Sequence, residues 1–78
     1  MTDEQRDIIQ HSLGLSHPKA KGKAYRNRYC TVDGDARLEA MVTAGWMEHG
    51  AKLNSNRDRY YHVTEAGAAA VGSKLPED

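Results

Sequence analysis

The four histidines and one cysteine of this 78-residue chain, His11, His17, Cys30, His49 and His62, are of the types that ligate zinc or pair as nucleophile and base. Their spacing matches neither a C-x2-C nor an H-x3-H ligand pair, so it predicts no zinc site. Cys30 is the only cysteine. No motif sets a histidine beside it, which leaves the thiol without the base that activates a nucleophile. The chain also lacks a Gly-rich phosphate loop, a G-x-S-x-G elbow and paired carboxylates in an apolar setting. The expectation is a protein that is not an enzyme, with no metal, no cofactor and no small-molecule substrate.

The remaining chemistry is charge. Formal net charge is zero, but the charges are segregated, and segregation within a small domain says more about partners than the total does. No acidic residue falls between Asp7 and Asp33, a stretch that carries Lys19, Lys21, Lys23, Arg26 and Arg28. Tyr25 and Tyr29 are interleaved with these cations, a composition that can hold phosphates, stack on bases or meet an acidic protein surface. The same composition also describes a solvated loop whose tyrosines pack on a sheet. A second cationic group, Lys52, Arg57 and Arg59, surrounds a single acid, Asp58. It can contact a partner or simply keep a hairpin soluble and its edge unpaired. Tyr60 and Tyr61 must face opposite sides of a strand, so one is expected in the core and Tyr60 is the candidate interface anchor.

The two groups share a pattern. Arg26-Asn27-Arg28-Tyr29 and Arg57-Asp58-Arg59-Tyr60 are near copies. If their strands pair, four arginines are expected to line one edge or face.

The elements that must position these residues are legible. Thr2 followed by Gln5 reads as a capping box, and Asp3 and Glu4 suit the first turn of a helix over about residues 3–13. Gly14 can end it. Residues 14–27 read as irregular, with a short helix from Pro18 as an alternative. Arg28 to Val32 reads as a strand with Tyr29 and Thr31 on one face. Asp33-Gly34 is a turn, Asp33 or Asp35 can cap, and a second helix follows to Ala44, with Leu38, Met41 and Val42 inward. Its exposed residues are expected to be Asp35, Arg37, Glu39 and Thr43, and the two acids would repel phosphates. Trp46–His49 is a strand with Trp46 in the core, Gly50–Arg57 a polar hairpin, Arg59–Val63 the returning strand, and Thr64 caps a helix over about 65–71. Residues 73–78 read as a flexible tail behind a single domain over 1–72.

The core is thin, because there is no Phe and only one Trp. The leading MTDEQRD has no secretory pattern, and no apolar run approaches the roughly 18–20 residues that span a bilayer. A cytoplasmic protein with no membrane partner is expected.

Leu38, Gly45, Trp46, Met47, Arg57, Asp58, Arg59, Val63, Thr64 and Gly67 resemble the wing segment of MarR-like winged-helix regulators. HSLGL, YRNRY and VTEAG resemble small proteins of phages and prophages that carry no assigned activity. The first resemblance implies an α+β, reduced winged-helix-like domain of three helices and a small antiparallel sheet. It is reduced because only one helix fits between Val32 and Trp46. The second implies an accessory protein that binds a host protein or protein–nucleic-acid machine, a class that includes anti-CRISPR-like inhibitors. A DNA-binding regulator using wing and basic loop is the alternative, and a self-associating virion component a third.

Overall fold

In the computed structural model, which describes residues 1–15 and 23–76, Thr2 opens α1 (Asp3–Leu13) through the full capping box, its hydroxyl accepting from the Gln5 amide. Asp3 and Glu4 sit in the first turn, where the partial positive charge of the helix end favours them. Ile8, Ile9, Ser12 and Leu13 are the buried stripe of this helix. Ser12 is tolerated there because its hydroxyl donates to the Ile8 carbonyl at 2.6 Å, so no polar group is left unpaired.

The remaining elements are β1 (Tyr29–Val32), α2 (Ala36–Thr43), β2 (Met47–Leu53), β3 (Asp58–Val63) and α3 (Glu65–Ala70). Among the described residues the product is a small α+β domain of three helices and a three-stranded antiparallel sheet in the order β1-β3-β2. β3 is central, and its partners are in the register Tyr29↔Tyr61 and Thr31↔Arg59 on one side and Met47↔Val63 and His49↔Tyr61 on the other. A bulge interrupts β2 between His49 and Lys52. The hairpin tip is Asn54-Ser55-Asn56, three consecutive non-glycine residues with φ of 52°, 59° and 70°. Of the two capping candidates for α2, Asp35 is the one, accepting from the Arg37 amide.

The helices cover one face of the sheet. The core joins Ile8, Ile9 and Leu13 of α1, Leu38 and Met41 of α2, Met47, Tyr61 and Val63 of the sheet, and Ala68 of α3. Two expectations shift here. Trp46 is only half-buried against the core, and the next residue, Met47, takes the enclosed position. Leu75, read as tail, packs against the same core, and Ser73 donates its amide to the Ala68 carbonyl. No helix among the described residues is long and apolar enough to cross a membrane.

Gly67 lets α3 dock. A Cβ at this position would collide with the Trp46 carbonyl oxygen, so the residue that weakens the helix by about 1 kcal/mol relative to alanine is the one that lets it lie against the chain entering β2.

Candidate binding surface

The described part of the basic segment is held to α1 and β3 at four points. Tyr25 donates its amide to the Leu13 carbonyl at 3.1 Å and Arg28 donates its amide to the Ser12 carbonyl at 3.0 Å. The Arg26 guanidinium donates twice to the His11 carbonyl, at 2.8 and 3.2 Å, capping the negative end of α1. It also lies 5.7 Å from the centre of the Tyr25 ring. That ring occupies the space a side chain on Gly14 would need, and Gly14, at φ 76°, ends the helix in the left-handed conformation.

Asn27 is the fourth point. Its side-chain amide accepts from the Val63 amide at 2.6 Å and donates to the Val63 carbonyl at 2.9 Å. The carboxamide acts as an extra backbone unit that extends the β1–β3 ladder by one step. The Asn27 carbonyl meets His62 Nδ1 at 2.6 Å. A carbonyl only accepts, so Nδ1 carries the proton. With the segment fixed in this way, Lys23 and Arg28 are, among the described residues, the cations left exposed on it. Lys19 and Lys21, with His17 and the alternative helix from Pro18, lie outside the described residues.

The hairpin cations are mostly engaged with acids. Asp33 accepts from Arg59 Nε at 2.7 Å and pairs with Lys52 at 3.3 Å. Arg59 reaches on to the Gly50 carbonyl at 3.1 Å, which pins the bulge. The Arg59 guanidinium, assisted by Lys52, holds the Asp33 carboxyl below its usual range. Arg57 approaches Asp58 at 3.8 Å but is the most exposed of the paired cations, at 76% of its side chain.

The two Arg-x-Arg-Tyr copies do come from paired strands, but they do not merge into one face. The strands run antiparallel in the register Tyr29↔Tyr61, so Arg26 and Arg28 lie beyond one end of the ladder and Arg57 and Arg59 toward the other. Arg28 and Arg59 are three steps apart along the sheet, on the order of 10 Å at the usual rise per residue. Strand alternation also puts Arg59 with Thr31 on the helix side and Arg28 with Cys30 on the open side. The expected four-arginine edge or face is therefore replaced by two smaller cationic groups. Tyr60, half-buried opposite Cys30, belongs to the open side.

A third cluster had no strong signal in the sequence. The Tyr61 hydroxyl donates to Glu39 at 2.6 Å and accepts from the Gly34 amide at 3.2 Å. The same Glu39 oxygen accepts from His49 Nε2 at 2.8 Å. The Tyr61 hydroxyl, then His49, holds the Glu39 carboxyl below its usual range. Asp35 binds Arg37 at 2.9 Å and Thr31 at 2.9 Å. The Arg37 guanidinium outweighs partial burial and brings the Asp35 carboxyl down to about 2. This corrects the expectation that Asp35 and Glu39 are exposed beside Arg37 and Thr43: Arg37 and Thr43 are exposed, with Ala36 and Ala40, whereas Asp35 and Glu39 are half-buried. The available hint was the position of Glu39, one residue from Leu38 and three from Val42, at the border of the apolar stripe.

Among the described residues no three His, Cys, Asp or Glu side chains converge as a metal site. His11 meets the Tyr29 ring edge-on at 5.7 Å, and Cys30 is exposed. An open groove of about 510 Å³ separates the start of the described basic segment, Lys23 and Ala24, from residues 72–76. No family model, curated protein or solved structure matches the chain.

Proposed function

We propose that this chain is a non-catalytic binding protein that engages the acidic surface of a larger protein, or of a protein–nucleic-acid machine, through its basic segment. The supporting observation is the clamping of that segment. Arg26 and Asn27 tie it to α1 and β3, while Lys23 and Arg28 face outward from a stretch that contains no acid. Cations fixed in advance lose less freedom on binding than cations on a loose loop. Lys19 and Lys21 add charge to the same stretch, Arg57 and Tyr60 supply a second and smaller contact, and Arg26, Lys52 and Arg59 act mainly within the fold. A small phage-type accessory protein of the cytoplasm, of the anti-CRISPR-like class, fits this reading.

The test is capture from a bacterial lysate, with and without nuclease, by the wild-type protein and by Lys23→Glu/Arg28→Glu. Nuclease-resistant capture that is lost in the double variant supports the reading. Capture that survives charge reversal at both positions rules it out.

A second reading, a DNA-binding domain of reduced winged-helix form, is favoured by two observations. A helix stands directly ahead of the β2–β3 hairpin and a threonine-capped helix follows it, the order of elements that the wing resemblance implies. The acids of α2 are bound sideways to Arg37, Thr31, Tyr61 and His49, which lessens their repulsion of phosphate. On this reading the affinity for plain duplex DNA falls steeply with salt, as counterion release requires. Undetectable duplex binding at low salt excludes it.

A further inference from the structure

Resting on the proposed binding through the basic segment, we infer that the groove between that segment and the C-terminal residues is the seat of one partner element, an acidic peptide segment with a central apolar side chain. Lys23 and Ala24 line one side of the groove and residues 72–76 the other, and both Lys23 and Lys74 are exposed. Leu75 and Ala24 are half-buried and pack against the core, so the apolar part of the lining is continuous with the body of the protein. Ser73 fixes the second wall by donating its amide to the Ala68 carbonyl at 2.9 Å. The first wall follows into Tyr25, whose amide is bonded to the Leu13 carbonyl.

The chemistry of this groove selects among anionic partners. A phosphate backbone would be served by the two lysines alone and would leave Ala24, Leu75 and Pro76 facing its sugars and water. A peptide can place carboxylates against Lys23 and Lys74 and an aliphatic side chain against the apolar part of the lining, removing apolar surface from water on both partners. A groove of about 510 Å³ is of the size of a small-ligand cleft, with room for a short peptide segment and not for the face of a folded domain. Segments of this kind bind through alternating anchors and charged flanks.

The probes are a short peptide with a leucine flanked by glutamates, the same peptide with serine in place of the leucine, and a single-stranded oligonucleotide of equal charge. The readout is amide chemical-shift change, with affinity from calorimetry. Expected results are shifts concentrated at Lys23, Ala24 and residues 72–75, and a loss of about tenfold or more in affinity on going to the serine peptide. Lys23→Glu/Lys74→Glu should abolish binding while its spectrum and melting temperature stay those of the wild type. Equal affinity for the two peptides overturns the apolar seat. Peptide binding that survives Lys23→Glu/Lys74→Glu but is lost in Arg28→Glu/Arg57→Glu overturns the groove while leaving the basic-segment reading in place. Failure of the peptide to bind while the lysate capture remains charge-dependent also removes the groove alone. Binding of the oligonucleotide in preference to both peptides removes the acidic-peptide proposal in favour of nucleic acid.

Discussion

The Tyr61 hydroxyl donates to the Glu39 carboxylate at 2.6 Å, across 22 residues of sequence. This bond ties the central strand to α2, because the Tyr61 ring is fully buried beneath it. The hydroxyl also receives the Gly34 amide at 3.2 Å, so a single oxygen holds both α2 and the turn that precedes it. Tyr61→Phe keeps the ring and removes the oxygen. It is expected to lower unfolding stability by about 1–2 kcal/mol, since the Gly34 amide and the Glu39 carboxylate each lose a partner. Urea denaturation followed by circular dichroism measures this, and an unchanged midpoint would show that the bond carries no net stability.

The same hydroxyl predicts alkaline behaviour. Burial first, and the Glu39 hydrogen bond second, push Tyr61 up to about 12 from an ordinary 10.0. Its folded-state value is raised, so its contribution is complete below the unfolded value and is lost as pH rises from about 10 to about 12. Stability is expected to fall in that window, with one tyrosine ionising together with unfolding. Tyrosinate absorbance recorded against pH should therefore show a cooperative late step that is missing from Tyr61→Phe. A smooth titration with the fold intact would contradict this.

At acid pH the sign reverses. Arg37, against the opposing effect of partial burial, brings Asp35 down to about 2 from 3.8, and Asp33 and Glu39 shift in the same direction. The unfolded chain then binds more protons than the folded one. These carboxylates stabilise the fold above about pH 4 and lose their contribution as pH falls toward about 2. Asp35→Asn keeps a side chain that caps helices well and removes the charge. Its melting temperature should be lower than the wild type at neutral pH, and the difference should shrink as the wild type is titrated to about pH 2. A constant difference across the range would assign the effect to geometry instead of charge.

Gly67→Ala sets two effects against each other. Helix propensity favours alanine by about 1 kcal/mol. The added methyl meets the Trp46 carbonyl, and that oxygen, being backbone, cannot rotate away. The Thr64 amide is bonded to the same carbonyl at 3.0 Å, so α3 cannot shift without disturbing its own start. Overpacking of this kind costs about 1–3 kcal/mol, and the prediction is net destabilisation. A higher melting temperature for Gly67→Ala would show that α3 can slide.

The parts that sequence reasoning reached are those encoded locally. The Thr2–Gln5 box, the Thr64 cap and the alternation of Tyr60 and Tyr61 each depend on neighbours within a few residues. The paired strands were also within reach, because the repeated Arg-x-Arg-Tyr pattern marks both. Their register was not, and register decides whether four arginines meet. Shifting the pairing by a few residues costs nothing in local propensity, so what holds it is long-range: the Asn27 carboxamide on Val63 and the Tyr61 ring in the core. The Glu39–His49–Tyr61 group was hidden for the same reason, since its members meet only when α2, β2 and β3 are packed. β2 also extends through Leu53, past Gly50, the expected start of the polar hairpin, because a bulge absorbs Gly50 and Ala51 between His49 and Lys52.

The arginines that look alike in the sequence should separate in the test tube. Arg28 is exposed, so Arg28→Glu should move stability by less than about 0.5 kcal/mol, as surface changes away from special contacts do. Arg59→Glu would place a carboxylate against Asp33 and free the Gly50 carbonyl that Arg59 now holds at 3.1 Å. Arg26→Glu would remove the cap on the His11 carbonyl and put negative charge at the negative end of α1. These two should each cost about 1–2 kcal/mol. Partner capture should follow a different order, lost in Arg28→Glu while the fold is intact, and reduced in Arg26→Glu only as far as the segment loosens. Urea midpoints of the three single variants, set beside their capture yields, separate the two orders. Equal stability in all three would mean that the clamp on the basic segment contributes nothing, and the pre-organised surface would lose its physical basis.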